Sequence, residues 1–144
     1  TLIHSLELLS VDNQVITSYC QPKITLFNIE PMAIKDLTLV QKHLFICNGG
    51  TCTKNGAEES TQKIRQYIAD EGMEAQVHTT KTYCNGRCND GPVVIAMPEN
   101  VWFKGITPDF CRKFVQQYVV KNQLPESKVL FDYEEKEIRT DLTA

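Results

Sequence analysis

The chain has 144 residues, 42% of them apolar and 23% charged, which is enough to bury one core without disulfide staples and too apolar for a disordered or fibrous chain. A net charge of -3 and a pI near 5.6 exclude the basic footprint of a nucleic-acid or anionic-lipid binder. No apolar run reaches the roughly 18 residues of a membrane span, and the first residues lack the charged-then-apolar layout of a signal peptide, so a cytoplasmic protein is expected.

Residues 1–42 read as a mainly β N-terminal extension. Leu6 to Leu9, Val15 to Tyr19 and Ile24 to Ile29, separated by Asp12-Asn13 and Gln21-Pro22, form a small meander that leads to a helical turn at Met32 to Leu37. From His43 the run His-Leu-Phe-Ile-Cys is a short apolar strand, which Asn48-Gly49-Gly50 ends in a turn. Asn55 with Glu58 three residues later has the form of a capping box, and Ala57, Ile64, Tyr67 and Ile68 recur at helical spacing until Gly72. Glu59 and Lys63 make an i,i+4 pair on that helix.

A second strand is expected at Ala75 to Thr80, and two strands joined by a helix imply a parallel, right-handed crossover. Val93 to Met97 and Val101 to Phe103, on either side of Pro98-Glu99-Asn100, read as an antiparallel hairpin. Thr107-Pro108-Asp109 then starts a second helix, with a capping hydroxyl and a proline in the first helical position. Phe110, Phe114 and Tyr118 form one ridge of it and Cys111, Val115 and Val119 the next, a broad apolar face that must pack on the sheet. The tail after Pro125 adds a strand at Val129 to Tyr133. The order from residue 43 is β-α-β-β-β-α, that of a thioredoxin-like α/β core with a mixed sheet, so 43–144 is expected to form one domain beside the extension.

Six cysteines occur, and their placement carries the chemistry. Four lie in two tight pairs inside glycine-containing segments, Cys47-Asn-Gly-Gly-Thr-Cys52 and Cys84-Asn-Gly-Arg-Cys88. A 2Fe-2S cluster needs four thiolates converging on one pocket, and two short loops on neighbouring strand ends supply that arrangement. Gly49, Gly50 and Gly86 allow sharp turns and leave amide groups free to approach sulfur. A plant-type ferredoxin would place its third cysteine where Asn55 stands. Zinc also takes four thiolates, but neither pair has the common C-x2-C form. A disulfide oxidoreductase would want C-x-x-C, which the chain lacks.

Cys111 falls on an apolar helix face and reads as core packing; Cys20 has no partner at ligand spacing. His43 and His78 flank the cysteine strands and read as structural histidines. Lys54 and Arg87 lie beside the paired cysteines. A cation roughly 6 Å from a cluster at an effective dielectric near 20 interacts by about 3 kcal/mol, on the order of 100 mV for one electron. Arg87 is therefore expected to raise a cluster's potential, against the alternative of a solvated, screened charge.

The C-x4-C loop after a strand, the C-x3-C loop and the following Asn89-Asp90-Gly91-Pro92-Val93-Val94 resemble the thioredoxin-like 2Fe-2S ferredoxins and the related cluster-bearing small subunit of the NADH-oxidising module of complex I. The likeness covers roughly residues 43–121. It implies Cys47, Cys52, Cys84 and Cys88 as cluster ligands, a non-catalytic carrier of single electrons between redox partner proteins, and a homodimer with the β-rich extension as its contact. The complex I subunit has a helical amino-terminal region where this chain reads as β, which favours a free ferredoxin over a dehydrogenase relay subunit. His43 to Gly56 and Thr80 to Asn89 are most similar to small ferredoxins associated with cobalamin synthesis. The alternatives are an accessory subunit of a dehydrogenase or cobalamin-pathway enzyme, and a zinc-binding or cluster-sensing module.

Overall fold

The computed structural model describes residues 35–139, so the expected meander of the extension and Cys20 lie outside the described residues. Among these residues, six strands form one sheet: β1 (Lys42–Cys47), β2 (Val77–Thr82), β3 (Val94–Met97), β4 (Val101–Phe103), β5 (Val129–Asp132) and β6 (Glu137–Ile138), in the order β2-β1-β3-β4-β5-β6. β1 and β2 are parallel and every other neighbouring pair is antiparallel. Three helices accompany them: α1 (Gly50–Lys54), α2 (Ala57–Asp70) and α3 (Cys111–Phe114), the last running on as a π-helical stretch over Val115–Val120. This is the mixed-sheet, thioredoxin-like β-α-β-β-β-α core. Among the described residues no helix is long and apolar enough to cross a membrane.

The two-residue period of the strands decides what is buried. Leu44, Ile46, Val94, Ala96, Val101 and Phe103 meet Ile64 and Ile68 of α2 and Phe114, Val115, Tyr118 and Val119 of α3 and its extension. Phe103 is the hub, with ring centroids 5.1 Å from Phe114 and 4.8 Å from Tyr118. On the opposite face Phe45, Ile95, Trp102, Phe131 and Ile138 stand in register across β1, β3, β4, β5 and β6.

Several local expectations are corrected. Asn55 does not cap α2: it closes α1, and the residue before α2 is Gly56 at a φ of 88°, with no side-chain cap. The first cysteine loop is partly helical, because Gly50–Lys54 forms α1 and carries Cys52 within it. The second strand is displaced to Val77–Thr82, since Met73 to Gln76 form a turn in which Gln76 and Val77 both donate to the Met73 carbonyl at 3.1 and 3.0 Å. The Thr107-Pro108-Asp109 start gives a tight turn rather than α-helix, as the Phe110 N–H bonds the Thr107 carbonyl three residues back at 2.9 Å, and α3 begins at Cys111. Of the helical turn expected at Met32 to Leu37, only the end falls among the described residues, where a 3-10 turn occupies Leu37–Leu39. β6 was not expected.

Candidate metal centre

Cys47 is the last residue of β1, and its register partner across the parallel pair is Thr82, the last residue of β2. Parallel neighbours end at the same edge of a sheet, so the chain following each strand leaves side by side. The end of β1 is held from both flanks: the Cys47 N–H donates to the Val93 carbonyl at 3.0 Å and the Asn48 N–H to the Thr82 carbonyl at 2.8 Å. The Asn48 side-chain amide bonds the Ile46 carbonyl and Thr61 Oγ1, both at 3.1 Å, which fixes the bend that starts the first loop.

The two cysteine loops touch. A Cβ added at Gly49 would lie 2.8 Å from both Cα and Cβ of Cys84, and one added at Gly91 would lie 2.8 Å from Cys52 Sγ. Both positions thus require glycine for close approach rather than for a turn. Cys84 and Cys88 have their sulfurs 3.5 Å apart, and Cys47 Sγ reaches the Tyr83 carbonyl at 3.5 Å. Cys47 and Cys52 are buried, whereas Cys84 and Cys88 are exposed. Val93 and Ile95, with Phe45 and Trp102, pack against the buried pair and form an apolar floor.

The Gly86 N–H lies 3.3 Å from Cys84 Sγ. Burial opposes ionisation of Cys47, but hydrogen bonding from the Gly49 and Asn85 backbone outweighs it and holds its thiol below the usual range. Burial, with Cys47 and Cys88 adding to it, pushes Cys52 up to about 11. Its hydrogen bond with Cys84 raises Cys88. Ionisation is thus eased at Cys47 and opposed at Cys52 and Cys88.

Among the described residues no group of three or more His, Cys, Asp or Glu side chains is gathered to hold a single metal ion. The sulfurs fall instead into two adjacent pairs, one buried and one exposed. A binuclear cluster with two thiolates per iron takes that division, and the Gly86 N–H beside Cys84 suits its negative charge, so the residues present fit such a group. Cys111 is fully buried, its Sγ 3.2 Å from the Thr107 carbonyl, and stands with the core. His43 bonds Thr80 Oγ1 through Nε2 at 2.7 Å and stacks on Phe45, a structural role. Arg87 is ion-paired, its Nη2 2.7 Å from Asp90 Oδ2. Asn85, whose Nδ2 bonds Thr82 Oγ1 at 2.8 Å at the end of β2, was not singled out from sequence; its only signal was that it lies inside the second cysteine loop.

Fold and site together define the class: a thioredoxin-like protein with two cysteine pairs brought together at the carboxyl ends of parallel strands. No family model matches the chain. A protein of Priestia megaterium assigned as a 2Fe-2S ferredoxin is 36% identical over 101 residues, 70% of this chain and 79% of that protein. A 2Fe-2S ferredoxin of Clostridium pasteurianum is 26% identical over 90 residues, 57% of this chain and 88% of that one. The crystal structure of a thioredoxin-like 2Fe-2S ferredoxin from Aquifex aeolicus superposes with a TM-score of 0.57 at 26% identity, covering 62% of this chain and 95% of that chain. The chain belongs to the thioredoxin-like 2Fe-2S ferredoxin family.

Proposed function

We propose that the protein carries single electrons between redox partners on a 2Fe-2S cluster held by Cys47, Cys52, Cys84 and Cys88. The observation that carries this reading is the contact between the two cysteine loops at Gly49 and Cys84, which sets two sulfur pairs side by side. When bound, the cluster supplies the one-electron couple. The residues do the rest. Cys47 and Cys52 anchor its inner side over Val93 and Ile95, which keep water from that side. Cys84 and Cys88 form the exposed edge, where a partner gains the shortest path. The Gly86 N–H, 3.3 Å from Cys84 Sγ, would stabilise negative charge at that exposed edge.

Metal and sulfide analysis with single Cys→Ser variants at all six positions tests the reading. The expected result is two iron and two sulfide per chain with a paramagnetic signal on one-electron reduction. Replacement of Cys47, Cys52, Cys84 or Cys88 lowers or abolishes that content, whereas replacement of Cys20 or Cys111 leaves it. A colourless protein with one zinc per chain, or a cluster lost on replacing Cys20 or Cys111 and kept on replacing any of the four, overturns it.

A further inference from the structure

α2 and α3 pack on the Leu44, Val94 and Phe103 face of the sheet. On the opposite face Trp102, Phe131 and Ile138 are neighbours across β4, β5 and β6. With Tyr133 they wall a groove of about 310 Å³, near the lower end of the roughly 300–1,000 Å³ of small-molecule sites. Phe131 and Tyr133 meet edge to face with centroids 6.3 Å apart, and Tyr133 and Ile138 are exposed along its rim. Walls of this kind favour a flat ring, which can stack on one aromatic side chain and meet the edge of another.

Arg87 also lines the groove. Its Nη2 is engaged by Asp90 Oδ2 at 2.7 Å, yet its Nε is buried and has no hydrogen-bond partner among the described residues. A buried donor normally has a partner, because removing it from water without one is costly. The charge of the missing partner is constrained as well. Asp90 already balances the guanidinium, so an anion would gain little from Arg87 and be repelled by Asp90, whereas a neutral acceptor satisfies Nε without adding charge.

We propose that this groove binds a neutral, planar aromatic compound of one or two fused rings, whose carbonyl oxygen accepts from Arg87 Nε while its rings lie against Trp102 and Phe131. The site lies beside the second cysteine loop but includes no cysteine. Binding there is therefore separate from the electron transfer proposed above.

Trp102 is the single tryptophan of the chain, so its fluorescence reports occupancy of this groove. The oxidised protein is titrated with methyl naphthyl ketone, followed by calorimetry and by Trp102 emission. Saturable binding of one molecule per chain is expected, with a change in emission that follows the heat. Ethylnaphthalene of the same skeleton lacks the oxygen and should bind about tenfold more weakly, the loss of one hydrogen bond to a charged donor. Naphthoate should bind no more tightly than the ketone. Arg87→Met keeps the stem without the donors and should bind ketone and hydrocarbon alike; Ile138→Asp, on the exposed wall, should weaken both. Absence of saturable ketone binding, binding that leaves Trp102 emission unchanged, equal affinity of ketone and hydrocarbon for the wild type, or tighter binding of naphthoate overturns the inference. If Arg87→Met does not fold, the comparison of the three probes on the wild type still decides.

Discussion

Arg87 stands between Cys84 and Cys88, and an isolated cation there would stabilise a reduced cluster by about 3 kcal/mol at roughly 6 Å. The structure pairs its Nη2 with Asp90 Oδ2 at 2.7 Å, so the residue between the two cysteines is one half of an ion pair, whose field falls off faster than that of a single charge. The expected effect shrinks accordingly. Arg87→Gln should lower the midpoint potential and Asp90→Asn should raise it, each by about 1 kcal/mol, or about 40 mV for one electron, with the double variant close to wild type. Redox titration of the three variants at low salt checks this; three identical potentials would mean that solvent screens both charges. Asp90 lies only three residues from Arg87, yet nothing in the sequence distinguished a charge facing the cluster from one engaged by its neighbour. That difference depends on the turn at Cys88–Asp90, which only the fold supplies.

The elements divide in the same way. α2 was legible because Ala57, Ile64 and Ile68 repeat at helical spacing, and the predicted Glu59–Lys63 pair is present at 2.9 Å. α3 was legible because two apolar ridges face the sheet, and Phe114 is fully buried against Phe103 and Tyr118. Phe114→Ala should therefore cost about 3–5 kcal/mol, read as a lower denaturation midpoint by circular dichroism. A shift below about 1 kcal/mol would show that the aromatic cluster is not the centre of the core. What pattern missed has a common cause. α1 is five residues long, β6 two, and the π-helical stretch at Val115–Val120 keeps the same side chains buried as an α-helix would. Segments this short have no period to read, and they form because neighbours hold them.

Across the whole molecule, the end of the sheet opposite the cysteines is closed by a polar staple. The ammonium of Lys42, at the start of β1, donates to Glu99 Oε1 at 2.7 Å and Asn122 Oδ1 at 2.8 Å, and sits 4.3 Å over the Tyr118 ring. The Tyr118 hydroxyl donates to Glu99 Oε2 at 3.1 Å, and burial, with the Glu99 charge adding, pushes that hydroxyl's pKa up. Burial opposes the Glu99 charge, but Lys42 holds its carboxyl below the usual range. A depressed folded value means stability that is present above the unfolded pKa of about 4.3 and lost as pH falls through the folded one. Glu99→Gln should lower stability at pH 7 by about 1 kcal/mol, since the carboxylate is partly exposed, and should show a smaller loss between pH 7 and pH 3. Parallel thermal melts of variant and wild type at the two pH values measure it; identical pH dependence would remove Glu99 from the account. The sequence by itself determined the order of β1, α2, β2, β3, β4 and α3, the core faces of both main helices and the four paired cysteines, because periodicity and spacing are local properties of the chain. Tertiary structure alone decided that the cysteine loops meet, since this follows from β1 and β2 lying parallel and adjacent with their carboxyl ends at one edge.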